Sequence, residues 1–211
     1  KVCQMEPFLS KLVECGGERR YGLETGTKPE LALALGSSLP TGSRIVVNGY
    51  KDAAYVELAL AGMRIGYEVV IVVEKFHELD LVLKTAKRMG VLPWLGLRLR
   101  VHARGTGKWA RSGGSASKFG LNTGELLEAV EECRRQGVAD RLALLHFHIG
   151  SQITDVRRIK QGVTEGACFY AALLDMGVNV RYLDVGGGLG VDYDGSRTAS
   201  DSSVNYSVQE Y

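Results

Sequence analysis

The most distinctive chemistry-bearing stretch is LDVGGGLG at residues 183–190, where a short apolar strand runs into three consecutive glycines, Gly186 to Gly188. Because glycine readily adopts positive φ angles, successive backbone N–H groups can turn toward one point and form a concave anion site. The dinucleotide-binding pattern is excluded because Val191 stands where it requires glycine, and a Walker loop is excluded because Trp109 follows the GTGK stretch. A phosphate site at the C-terminal end of a strand remains, with a flexible turn as the alternative.

A second cluster of reactive side chains is LHFHIGSQ at residues 145–152. Strand alternation places His146 and His148 on one side of the strand. A histidine on a strand more often packs than catalyses, but this pair stands at a strand end and is followed at once by Gly150 and Ser151. The serine hydroxyl and the backbone N–H groups of that turn can also reach an anion. Since the glycine run follows on the next strand, we expect a functional site.

The composition excludes several other classes of protein. The 211 residues are 45% hydrophobic and 24% charged with a net charge of +2, which is typical of a globular domain and shows no basic stripe for nucleic acid or a membrane surface. The apolar run at residues 69–73 is far too short to span a bilayer. Spacing favours reduced thiols over a structural zinc site for the four cysteines, Cys3, Cys15, Cys133 and Cys168.

Hydrophobic periodicity predicts alternating helices and strands along the whole chain. The predicted strands are 20–24, 44–48, 69–74, 94–101, 142–149 and 181–185. Three helices are predicted at residues 8–16, 78–89 and 159–176. A fourth begins at Lys28 and is closed by residues 37–42, and a fifth is capped by Asp52 and runs to residue 66. The sixth runs from Asn122 or Thr123 to residue 136. The first four strands recur at intervals of about 25 residues, the length of one strand, one helix and two short loops.

This cadence, together with continuous apolar strands, predicts a parallel α/β fold. Six strands, with a stump before Val2, fit an incomplete (β/α)8 TIM-type barrel better than an open sheet, and residues 1–211 are expected to form one domain. The Gly-rich, Ser-rich segment at 101–120 is either part of the catalytic face or a solvated surface excursion. Without an initiator methionine, and with Tyr211 in what looks like a starting helix, the chain is expected to be a piece of a longer one.

The motifs together resemble a known family. Lys1-Val2, HFHIGSQ at 146–152 and DVGGG at 184–188 are similar to the fold-type III, alanine-racemase-like pyridoxal-phosphate decarboxylases, whose barrel binds the cofactor. NGYKD at 48–52, GKW at 107–109, SKFGL at 117–121 and GGGLGVDYDG at 186–195 resemble the biosynthetic arginine decarboxylases within that family. The resemblance covers essentially the whole chain.

The resemblance implies roles for individual residues. Lys1 matches the lysine that bonds covalently to the cofactor, and His148 matches the imidazole stacked on its ring. Ser151 with Gly186, Gly187 and Gly188 matches the phosphate cup. Glu24 matches an acidic position near the cofactor, and the residues assigned to the substrate are Asp184, Asp192 and Tyr193.

The resemblance also implies a function, namely pyridoxal-phosphate-dependent decarboxylation of L-arginine to agmatine and carbon dioxide, the first step of a route to putrescine and spermidine. Magnesium follows from the resemblance only, since no ligand cluster is visible. The expected parent is a homo-oligomer with its active site at a dimer interface, located in the cytoplasm, or in a plastid if it carries a transit peptide.

The resemblance implies that the family's eighth strand, C-terminal β domain and interface cysteine lie outside these 211 residues, which alone are expected to be inactive. The alternatives are another amino-acid decarboxylase or racemase of this fold type, acting for example on ornithine or diaminopimelate, and a non-catalytic relative that binds the cofactor or a partner.

Overall fold

A computed structural model describes residues 4–16, 21–102 and 119–211. Lys1 lies outside the described residues, as do Cys3, the GKW motif and most of the segment predicted at 101–120. The predictions made for those positions therefore stay predictions.

The described residues form six strands and six α-helices that alternate after an initial helix. The strands are β1 (Leu23–Thr25), β2 (Arg44–Val47), β3 (Glu68–Val73), β4 (Trp94–Leu99), β5 (Leu142–Phe147) and β6 (Tyr182–Asp184). The helices are α1 (Glu6–Gly16), α2 (Lys28–Leu35), α3 (Ala53–Arg64), α4 (Phe76–Met89), α5 (Thr123–Arg135) and α6 (Val156–Asp175), with a short 3₁₀ helix at Ala139–Arg141. Each predicted element is confirmed, with bounds that differ by a few residues.

The strands form one sheet in the order β1-β2-β3-β4-β5-β6, and the pairs β1–β2, β2–β3 and β5–β6 are parallel. Each strand neighbours the one that precedes it in the chain. This sequential order is that of a (β/α)8 barrel, whereas an open doubly wound sheet reverses its strand order at a switch point. The predicted barrel class therefore agrees with the observed topology.

Compact packing divides the chain into two units, residues 1–96 with 133–143, and residues 97–132 with 144–211. In the first unit the five residues Val69 to Val73 are completely buried. A strand buried on both faces explains why its sequence is continuously apolar rather than alternating. Strand β5 is buried along its whole length, so its sequence shows the same pattern.

Side-chain caps explain where the helices begin. Asp52 accepts a hydrogen bond from the backbone N of Tyr55 at 2.8 Å, which confirms the predicted N-cap of α3. Helix α4 begins two residues before the predicted Glu78, because the Glu78 carboxylate reaches back to the backbone N of Glu74 at 2.8 Å and so lies inside the first turn.

The predicted start of α5 was ambiguous. Asn122 is the cap, since its Oδ1 accepts the backbone N–H of Glu125 at 3.0 Å and the Glu125 carboxylate accepts that of Asn122 at 2.8 Å. Helix α6 begins three residues before the predicted Ile159, because Asp155 caps it by accepting the N–H of Arg157. Within the described ranges, none of these helices is both long and apolar enough to cross a bilayer.

Candidate functional site

The two predicted histidines occupy different environments in the second unit. His146 lies on β5 directly opposite Asp184 on β6, and only 2% of it is exposed. Its Nδ1 atom is 2.9 Å from Asp184 Oδ2. Neither ring nitrogen satisfies hydrogen-bond geometry with any described residue, so this approach is a close contact without hydrogen-bond alignment. His146 is thus a buried imidazole held against a carboxylate.

His148 lies one residue past the end of β5 and is half-buried. The backbone N–H of Gly187 donates a hydrogen bond to its Nδ1 atom at 3.3 Å. Nδ1 is the acceptor of this bond. The glycine run is therefore one of the contacts that orient the His148 ring.

The first and third glycines of the run have backbone angles that other residues rarely adopt. Gly186 has φ of +68° and Gly188 has φ of +135°. A Cβ atom on Gly186 would lie 2.5 Å from the carbonyl O of Phe147, and one on Gly188 would lie 2.9 Å from the carbonyl O of Gly150. A Cβ on Gly187 would meet no atom within 4 Å. The run is therefore packed at its first and third positions and open at its second, which is the shape of a cradle for a small group.

The turn that contains Ser151 is hydrogen-bonded to this run. The backbone N of Ile153 donates to Gly188 O at 2.9 Å. The Gln152 side chain donates to Val191 O at 2.7 Å and accepts from Val191 N at 3.0 Å. Ser151, which is exposed, directly precedes these two attached residues in the chain. Gln152 was part of the quoted motif, but sequence reasoning assigned it no role.

Beyond the glycines, residues 189–211 form a loop held by polar contacts. The Tyr206 hydroxyl donates to Ile153 O at 2.6 Å and accepts the backbone N–H of Gly190 at 3.0 Å. Asp192 accepts a hydrogen bond from the Ser203 hydroxyl at 2.6 Å and lines a cavity of about 510 Å³. Tyr193 follows it in the chain with 74% of its area exposed. Tyr206 was not singled out in the sequence, and its isolated position offered no signal.

The first unit contains a separate polar cluster at the C-terminal ends of β1, β2 and β3. The Asn48 amide donates to Glu24 Oε1 at 2.8 Å. The backbone N of Gly49 donates to Glu74 Oε1 at 2.6 Å, and a Cβ on Gly49 would lie 2.0 Å from the carbonyl O of Gly26. The first residues of the NGYKD motif thus position the predicted Glu24 carboxylate through Asn48, a link that the sequence did not show.

Lys51 of this motif and Tyr55 of α3 form a buried support for this cluster. Lys51 is 1% exposed, donates to Gly49 O at 2.5 Å and lies 3.5 Å from the Glu78 carboxylate. The Tyr55 hydroxyl donates to Asn48 O at 3.2 Å. Burial, with a smaller contribution from nearby carboxylates, raises the pKa of Tyr55 to about 12, so its hydroxyl keeps its proton at neutral pH.

Metal binding has no visible support in the part of the chain that the structure describes. No group of three or more His, Cys, Asp or Glu side chains is arranged there to hold an ion. The magnesium expected from the resemblance therefore has no ligand set among these residues.

Comparison with known proteins identifies the family. The sequence model described as pyridoxal-dependent decarboxylase, pyridoxal binding domain, matches residues 1–211. The chain therefore belongs to the pyridoxal-dependent decarboxylases and corresponds to their pyridoxal-binding domain.

Individual relatives carry a narrower name. The chain is 50% identical to a biosynthetic arginine decarboxylase of Bacteroides thetaiotaomicron, covering 100% of this chain and 34% of that protein. It is 49% identical to that of Deinococcus radiodurans, with 100% and 32% coverage. The chain thus spans about a third of the length of the curated relatives it matches.

Two solved structures share the fold. The crystal structure of the biosynthetic arginine decarboxylase of Campylobacter jejuni has a TM-score of 0.84 and 32% identity, with 99% of this chain and 33% of that one covered. The diaminopimelate decarboxylase of Helicobacter pylori, complexed with L-lysine, has a TM-score of 0.76 and 25% identity, with coverages of 89% and 46%. These likenesses confirm the predicted pyridoxal-phosphate-binding barrel.

The glycine run fits the phosphate of this family's cofactor. Gly186 and Gly188 exclude side chains by contact with backbone carbonyl oxygens, while the second position opens onto free space. A phosphate requires such an approach to bare backbone and to donors near it. Because the N–H groups of Gly186 and Gly187 donate to Asp184 and His148, the Ser151 hydroxyl and other N–H groups would have to supply those bonds.

Proposed function

We propose that the protein containing this chain decarboxylates L-arginine to agmatine and carbon dioxide with pyridoxal phosphate as its cofactor. The observation that carries the choice of substrate is the similarity to proteins named biosynthetic arginine decarboxylase, at about half identity over the whole chain. The product would enter a route to putrescine and spermidine. A cytoplasmic location and a homo-oligomer with its active site at a dimer interface belong to the same proposal.

Each predicted site residue has a role in this proposal. Ser151 and Gly186 to Gly188 would hold the cofactor phosphate, and His148 would lie against the cofactor ring. When bound, pyridoxal phosphate withdraws electrons from the α-carbon of an amino acid so that its carboxylate can leave as carbon dioxide. Lys1, which lies outside the described residues, would supply the amine that attaches the cofactor covalently. Glu24 would place a carboxylate near the cofactor, oriented by Asn48.

His148 is suited to fix the plane of the ring because its own orientation is fixed. The bond from Gly187 N–H to Nδ1 restrains the imidazole, so a ring stacked on it would be restrained in turn. Interactions that orient the reacting bond matter most as charge develops in the transition state.

The substrate would be recognised by polar groups near the glycine run. Asp192 is the candidate partner of a guanidinium, because a carboxylate accepts two parallel N–H bonds from that group and the Asp192 side chain already lines a cavity. Tyr193 is proposed with it as a substrate-binding residue. The assignment of Asp184 to the substrate stays a prediction, and its carboxylate here contacts the Gly186 N–H and His146. Magnesium would be an additional requirement inferred from the resemblance alone.

The test is release of carbon dioxide by the purified full-length protein, supplied with pyridoxal phosphate and one amino acid labelled in its carboxylate. We expect label to be released from L-arginine much faster than from L-ornithine, L-lysine or diaminopimelate. The likeness to a diaminopimelate decarboxylase makes that substrate the second candidate. Faster release from diaminopimelate would replace the proposal, and no release from any amino acid would favour a non-catalytic cofactor-binding protein.

A further inference from the structure

We propose that Asp184 is a positioning residue for the phosphate cradle, and that its carboxylate, which lies against the buried His146, fixes the first glycine in its left-handed conformation. This inference rests on the proposed function, because it assumes that the cradle binds the phosphate of pyridoxal phosphate. It concerns Asp184 and His146, which lie on the strands that precede the cradle and its neighbouring turn.

The contacts of Asp184 divide between its two oxygens. Oδ1 accepts the backbone N–H of Gly186, two residues later, at 2.9 Å, which closes a turn at the start of the cradle. Oδ2 lies 2.9 Å from Nδ1 of His146 on the neighbouring strand. The Gly186 N–H is thereby directed to the side chain of β6, and the backbone turns through φ of +68° into the open position at Gly187. The carboxylate thus connects the strand pair to the shape of the cradle.

The location of this carboxylate is unfavourable on charge alone. An anionic side chain close to a phosphate repels it, and burial strengthens the repulsion. The hydrogen bond from the Gly186 N–H offsets part of this cost. His146 is itself buried, with both ring nitrogens lacking a hydrogen bond among the described residues, and such a group is costly unless something compensates it. The two unfavourable groups face each other in register, which is the arrangement expected of a pair that supports the cradle.

The test compares two ligands that differ only in the phosphate. Dissociation constants for pyridoxal phosphate and for pyridoxal are measured by absorbance titration of the full-length apo-protein, for wild type, Asp184→Ala and Asp184→Asn. The alanine variant loses the acceptor for Gly186, whereas the asparagine variant keeps an oxygen acceptor and loses the charge. We expect Asp184→Ala to weaken binding of pyridoxal phosphate roughly tenfold, the effect of losing a hydrogen bond to a charged group, and to change pyridoxal binding less than about twofold. Asp184→Asn should stay within about threefold of wild type for both ligands.

A matched control is available in the same loop. Asp194 Oδ1 accepts the backbone N–H of Ser196, also two residues later, at 2.9 Å, but this turn lies beyond the cradle on the exposed surface. Asp194→Ala should leave both dissociation constants unchanged. An equal effect of Asp194→Ala and Asp184→Ala would show that any such turn in the loop matters, and would overturn the assignment.

The remaining outcomes are also decisive. Equal weakening of both ligands by Asp184→Ala would indicate a general structural role and would contradict the proposal. Tighter binding of pyridoxal phosphate by both Asp184 variants would show that charge repulsion outweighs the positioning effect, and would contradict the proposal. If Asp184→Ala does not fold, His146→Leu, which fills the space without a nitrogen, should show the phosphate-specific loss, and equal affinities for wild type and this variant would reject the pair. If wild type fails to bind pyridoxal phosphate at all, the proposed function fails rather than this inference alone.

Discussion

Replacing Gly186 with alanine probes the geometry of the cradle directly. A non-glycine residue in the left-handed region costs about 1–2 kcal/mol. The added Cβ would also lie 2.5 Å from Phe147 O and 2.9 Å from His148 Nδ1, and the first of these is a backbone atom that cannot rotate away. Such an overlap in a packed region costs about a further 1–3 kcal/mol. We therefore expect Gly186→Ala to lower the free energy of unfolding of this region by about 2–5 kcal/mol.

A second glycine separates the two contributions. Gly195 has nearly the same backbone conformation, with φ of +72°, but a Cβ there would meet no atom within 4 Å. Gly195→Ala should therefore show only the conformational cost of about 1–2 kcal/mol. The measurement is urea unfolding of the apo-protein followed by circular dichroism. Equal effects of Gly186→Ala and Gly195→Ala would refute the packed cradle.

Gly187, the middle glycine of the run, is expected to show the opposite pattern, an effect on phosphate binding without an effect on stability. A Cβ on Gly187 enters open space, so Gly187→Ala should change the free energy of unfolding by less than about 0.5 kcal/mol. If that space receives the phosphate, the same variant should bind pyridoxal phosphate more weakly while pyridoxal binding is little changed. Strong destabilisation without an effect on phosphate selectivity would place the phosphate elsewhere.

Two further predictions concern other residues of the second unit. His148→Ala should lower turnover of arginine at saturating cofactor and substrate about 10–100-fold. His146→Ala should mainly reduce stability and cofactor affinity. Steady-state kinetics showing the reverse pattern would contradict the roles assigned to the two histidines. Hydrogen bonds from Arg157 hold the pKa of Asp155 down, to about 2. An unfolded aspartate titrates near pH 3.9, so the stabilisation of the folded state by the charged Asp155 is present above about pH 4 and is lost as the pH falls toward 2. Since the Arg157 side chain is largely exposed, Asp155→Asn should lower the free energy of unfolding at pH 7 by only about 1 kcal/mol. The same substitution should have little effect near pH 2. Denaturation curves showing the same loss at both pH values would contradict an electrostatic origin of the stabilisation.

The fold could be predicted from the sequence because its local signals agree with one another. The buried residues Val69 to Val73 of β3 form an unbroken run of β-branched residues, and Asp52 caps α3 as its side chain predicts. Boundaries were less certain because caps involve contacts that spacing alone does not show. Glu78, for example, resembles the first residue of a helix by its position but lies within the first turn, since it binds the backbone before it.

The candidate site was only partly predictable. The three glycines and the histidine pair can be recognised in the sequence by their residue types and by their position at the ends of predicted strands. The partners that shape the site do not, because they depend on register between strands: His146 faces Asp184 only through the pairing of β5 with β6, and Gln152 reaches Val191 across a turn. Asn48 holds Glu24 in the same way, across 24 residues of sequence.

Covalent attachment of the cofactor gives the most direct test of the account. The full-length protein is loaded with pyridoxal phosphate, reduced with borohydride, digested and analysed by mass spectrometry, with the Lys1→Ala variant treated in parallel. We expect the mass of one reduced cofactor on the peptide that contains Lys1, with its absence in the variant and loss of arginine decarboxylation there. A cofactor trapped on a different lysine, or wild-type turnover in Lys1→Ala, would contradict the assignment of this chain's active site.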